Sequence, residues 1–94
     1  MDERLIEIAE HYGLDAQLGI LQEELAELIQ AVSKFKRGDP KGLPEEIADV
    51  YIMLSQVVYL INKDTSVDFE EFIALYEEKK IRRQLERIKE EGQQ

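Results

Sequence analysis

The chain contains no cysteine and no tryptophan, one histidine and two prolines. Without cysteine there is no disulfide scaffold, no thiolate zinc site and no cysteine nucleophile, and one imidazole cannot furnish a site that needs several. The chemistry left open is that of oxygen. Long apolar runs are missing too. None is longer than that at residues 50 to 54, which falls far short of a membrane span, and the opening MDERLIEIAEHYG is acidic where a secretory signal would be basic. These absences predict a soluble cytoplasmic protein with no membrane partner. Basic charge is also in deficit: 12 Lys and Arg against 21 Asp and Glu leave a net charge of −9. That balance argues against a nucleic-acid polymer as partner, and it suits small phosphorylated ligands only where cations bridge the like charges.

What is present is helical periodicity from end to end, with no repeat, linker or low-complexity tract. The pattern predicts one all-α domain over residues 1–94, built as a four-helix, bundle-like unit. Asp2 can cap a short first helix that stops at Gly13, and Asp15 can cap the second, which carries Leu18, Leu21, Leu25, Leu28, Ile29 and Val32 at helical spacing and ends at Gly38. The breaker-rich RGDPKGLP leads into a third helix from about Pro44 to about Asn62. Ser66 or Asp68 can cap the fourth; with Asp68, Glu71 occupies the capping-box position, and the helix runs to about Glu90. Its early apolar residues, Phe69, Phe72, Ile73 and Tyr76, lie on a different face from Ile81, Leu85 and Ile88.

The third helix, LPEEIADVYIMLSQVVYLI, is apolar round most of its circumference, yet it carries two acids three residues apart. At about 100° per residue Glu46 points with Val50, Met53 and Val57, while Asp49 lies about 60° away between Gln56 and Leu60. Both therefore fall on a surface that reads as core. The second helix repeats the anomaly in QEELAEL, where Glu24 and Glu27 border the leucine stripe and Glu23 points further outward. Four converging carboxylates are costly to bury unless cations compensate them. Their spacing predicts an all-oxygen site for Mg²⁺, or Mn²⁺, made by Glu24, Glu27, Glu46 and Asp49.

EELAE followed, after a loop, by EIAD resembles the EExxE and ExxD signature of MazG-like nucleoside triphosphate pyrophosphohydrolases. The resemblance runs from HYGLDAQLG to KKIRRQLERI. It implies that Glu24, Glu27, Glu46 and Asp49 bind Mg²⁺, and that the substrate is a nucleoside triphosphate cut between its α and β phosphates. Lys80 and Arg83, in a segment similar to the basic stretch with which many such proteins approach phosphates, would then contact substrate. Many relatives have Asn two residues before the lysine, where this chain has Glu78. Gln17, two turns before Glu24, could reach a base or sugar edge, and Glu27 or Glu23 could accept the proton of an attacking water.

Two other readings share these residues: a phosphoribosyl-ATP pyrophosphatase, and a non-catalytic helical module that binds metal or nucleotide, or simply dimerises. The third helix needs cover on nearly every side, which predicts a homodimer or a tetramer formed from two dimers.

Overall fold

The computed structural model describes residues 1–93; Gln94, the last residue of the expected domain, lies outside the described residues. Four α-helices follow in order: α1 (Glu3–Tyr12), α2 (Leu14–Lys36), α3 (Leu43–Thr65) and α4 (Phe69–Gly92), with no strand among the described residues. The all-α, four-helix expectation agrees with this architecture.

Helix boundaries follow the local chemistry. The Asp2 side chain accepts from Arg4 N at 2.9 Å and starts α1. Gly13 ends it at φ 87°, ψ 170°, a conformation open essentially to glycine alone. This one residue also starts α2: its N–H donates to Ala9 O, and its carbonyl accepts from Gln17 N. Asp15 is therefore not the cap that the sequence suggests. It lies inside the first turn of α2, where its charge favours the helix dipole without a capping hydrogen bond.

Helix α3 runs three residues past Asn62. Thr65 Oγ donates back to Ile61 O at 2.7 Å, and Ser66, at φ 59°, takes the left-handed terminal position. Asn62 serves the next element instead, accepting from Phe69 N through Oδ1. Asp68 caps α4 by accepting from Glu71 N at 3.1 Å.

Helices α2 and α3 form an antiparallel hairpin closed by the short turn after Lys36, and this pair carries most of the packing. The buried apolar side chains are Ala9, Ala31, Val50, Met53, Val57 and Leu60. The expected leucine stripe of α2 divides. Leu21 and Leu28 are half-buried, whereas Leu18, Leu25, Ile29 and Val32 face solvent. The line of α2 that faces α3 runs instead through Leu14, Gln17, Leu21, Glu24, Leu28 and Ala31, a spacing of three and four residues that keeps one side of a helix together. Helix α1 packs on α3 and is tied to it where Tyr59 Oη and Lys63 Nζ both donate to Glu10 Oε1.

Among the helices of the described residues, α4 packs on α3 and not on α1 or α2. Leu54, Ser55 and Val58 of α3 line one cavity with Ile73 and Ala74 of α4, and every residue of α4 from Ala74 onward is exposed. The result is flat, 53 × 37 × 20 Å.

Candidate metal centre

The acids of the hairpin meet between α2 and α3. One carboxylate oxygen each from Glu24, Glu46 and Asp49 lies within 4.8 Å of the others, and all three residues are half-buried. Asp49 lies beside Glu24, and Glu27 beside Glu46, near enough for each charge to act on its neighbour. Glu27 is exposed at the edge of the group. The structure thus brings together three of the four acids that the sequence nominates, with Glu27 beside Glu46 at their edge.

Electrostatically the cluster is uncomfortable. Burial, then the charges of Glu27 and Asp49, push the Glu24 carboxyl up to about 7. Burial and the neighbouring Glu27 and Asp49 raise Glu46 as well. Glu24 Oε2 and Glu46 Oε2 are each shut away from solvent without a hydrogen-bond partner. Two orphaned acceptors in one acidic pocket are what a hard cation would satisfy, since it prefers oxygen ligands and offsets the like charge. The donor set, all carboxylate, fits Mg²⁺ or Mn²⁺.

Beside the acids, a cavity of about 300 Å³ is lined by Glu27, Gln30, Ala31, Lys34, Gly42 and Glu46. Gln30 and Lys34 were not singled out as site residues by the sequence pattern. Their only signal is position: each lies on the side of α2 that also carries Glu27, one and two turns further on.

The other nominated residues lie elsewhere. Glu23 is exposed, outside the group of three converging oxygens. Gln17 is only 4 % exposed, and its Nε2 donates to Gln56 Oε1 at 2.7 Å inside the hairpin. Lys80 and Arg83 ride on α4. The α3 residues that face α4 point roughly opposite to Glu46 and Asp49 at about 100° per residue, so a single chain holds these cations away from the acids.

A helical hairpin on which three half-buried carboxylates converge, two of them with orphaned oxygens, defines an all-α protein with an acidic cluster at its centre. The family model described as MazG nucleotide pyrophosphohydrolase domain matches residues 13–88, and the chain belongs to that family. No curated protein and no solved structure matches the chain. Family membership points to nucleotide pyrophosphohydrolase activity in general and to a nucleotide substrate. Among the described residues, no helix is long and apolar enough to cross a membrane.

Proposed function

We propose that this protein is a cytoplasmic, Mg²⁺-dependent enzyme that hydrolyses a nucleoside triphosphate, ribo or deoxyribo, to the monophosphate and pyrophosphate, cleansing or controlling a nucleotide pool. The observation that carries the reading is the pair of buried, unpartnered oxygens, Glu24 Oε2 and Glu46 Oε2, inside the matched domain. Water would add across the α,β-phosphoanhydride. Its oxygen would end on one phosphoryl group, and the bridging oxygen would leave with the other.

Glu24, Glu27, Glu46 and Asp49 would hold the cation. When bound, a divalent ion supplies charge compensation for phosphoryl oxygens and acidifies a coordinated water. Glu27, exposed at the cavity edge, or Glu23 would accept the proton of the attacking water. Lys34 lines the cavity and suits a phosphate contact there. For Lys80 and Arg83 to meet the phosphate tail, a second copy of the chain would have to present its α4, in a homodimer or a pair of dimers. The exposed apolar residues Leu25, Ile29, Tyr51 and Leu54 favour such an assembly.

Purified protein incubated with Mg²⁺ and each NTP, dNTP and phosphoribosyl-ATP should release pyrophosphate and a monophosphate from a subset of them. Release of orthophosphate and a diphosphate would overturn the α,β assignment. Turnover of phosphoribosyl-ATP alone would move the substrate to a histidine-pathway intermediate. Stabilisation by Mg²⁺ with no turnover would leave a binding module.

A further inference from the structure

Gln17 and Gln56 are the buried polar pair of the hairpin, 4 % and 1 % exposed, and Gln17 Nε2 donates to Gln56 Oε1 at 2.7 Å. Gln56 Nε2, which the pair leaves free to donate, meets the soft acceptor Met53 Sδ at 3.8 Å. The placement of this pair relative to the acids is regular. Seven residues along α2 from Gln17 stands Glu24, and seven residues back along α3 from Gln56 stands Asp49, its close neighbour. Three further on each helix stand Glu27 and Glu46, again neighbours. Four beyond those, Ala31 and Gly42 line one cavity together. The amide layer and the acidic layers are rungs of one antiparallel ladder, about 10 Å apart at 1.5 Å per residue.

The rungs differ in what they do to the ladder. Met53, Val57, Leu60, Leu21 and Leu28 pack nearly as well one helical turn away, because the apolar stripes repeat every three and four residues. The acidic rungs push the helices out of register, since their carboxylates repel at close range. A slip of one turn would set Gln17 opposite Leu60 or Met53 and Gln56 opposite Leu21 or Leu14. Both amides would then be buried without partners, at the full cost of desolvation. The slip towards Leu60 would set Asp49 opposite Leu28 and Glu46 opposite Ala31 and dissolve the acidic cluster, whereas the slip towards Met53 would set Asp49 opposite Leu21 and leave only Glu24 against Glu46.

We infer that the buried Gln17–Gln56 amide pair is the register lock of the α2–α3 hairpin and holds the carboxylates in convergence before any cation arrives. Gln17 and Gln56 are positioning residues in this account, and Gln17 acts through the helices instead of touching substrate. The consequence for metal uptake rests on the reading of the acids as a metal centre; the register does not.

The chain has no cysteine, so nitroxide labels can be placed at Ser33→Cys on α2 and Asp64→Cys on α3, exposed positions at opposite ends of the hairpin whose separation lies mostly along the helix axes. The labelled chain, co-refolded with an excess of unlabelled chain and freed of metal by chelation, is measured by pulsed dipolar EPR. A single narrow distance is expected. In the near-isosteric double variant Gln17→Met/Gln56→Met, with helicity retained by circular dichroism, a second population displaced by about one turn, roughly 5 Å, is expected. The same narrow distance in the double variant would overturn the lock.

Mn²⁺ titration followed by EPR of the free ion gives the second readout. Affinity should fall at least tenfold in the double variant although its melting temperature is unchanged or higher. Single Gln17→Met, which strands the Gln56 amide, should melt lower than the double variant. A wild-type chain with one register and no Mn²⁺ uptake would overturn the metal reading while the distances still decide the lock.

Discussion

At the scale of single residues, the acids set the pH behaviour. Glu24 titrates near 4.5 as an ordinary side chain and near 7 in the fold. Below about 4.5 folded and unfolded chains both hold its proton; between 4.5 and 7 only the folded chain does, so folding is favoured most at low pH. Raising the pH through that window therefore removes stability from the metal-free protein, and Glu46, shifted in the same direction, adds to the loss. Thermal melts in a chelator should fall from pH 5 to pH 7.5 and level above it, and Mg²⁺ should raise the melting temperature more at pH 8 than at pH 5. Glu46→Gln removes one charge from the cluster, so its metal-free melting temperature at pH 8 should exceed that of the wild type. Mg²⁺ stabilisation and pyrophosphate release should both disappear in this variant. A variant that keeps full Mg²⁺ response would take Glu46 out of the centre.

At the scale of elements, much was legible because α3 is apolar on nearly every side. Glu46 and Asp49 had no polar face on which to hide, so their directions alone placed them against α2. Less legible are the residues whose surroundings depend on a partner helix. Gln17 suggests a base or sugar contact from its place before Glu24, and only the fold brings Gln56, far along the chain, against it. Lys34 gives no signal of its own until the turn after Lys36 folds Gly42 and Glu46 beside it. Lys80 and Arg83 share a helix face with Tyr76, but periodicity within α4 carries no information about which side of α3 that helix covers. The capping error at Asp15 has a local cause: a glycine with positive φ can end one helix and open the next without a side-chain cap. Gly13→Ala should therefore cost roughly 1–3 kcal/mol in denaturant unfolding, because the backbone geometry there suits glycine alone. No loss on substitution would mean that α1 and α2 can join in another conformation.

At the scale of the whole molecule, one chain leaves too much apolar surface in water for its size. Ile29 is 69 % exposed and Leu25 40 %, on the side of α2 turned away from α3. Ile29→Glu should scarcely disturb a lone chain, since nothing in one copy packs against it, but should dissociate an assembly that covers it. Light scattering of wild type and variant checks both halves: a dimer or larger species for the first, and a shift towards monomer for the second. A monodisperse wild-type monomer would remove the proposed role of a second α4.

The 20 Å thickness of the chain has a calorimetric consequence. A plate about two helix diameters deep has almost no position whose surroundings are protein on all sides. Unfolding a lone plate would expose little new apolar surface, and its heat-capacity increment should fall below the roughly 1.1–1.4 kcal/mol/K usual for this length. When two plates close on one another, the buried faces count towards each chain's unfolding. The increment then rises into the ordinary range, and the melting temperature climbs with protein concentration, because the interior is completed only by association.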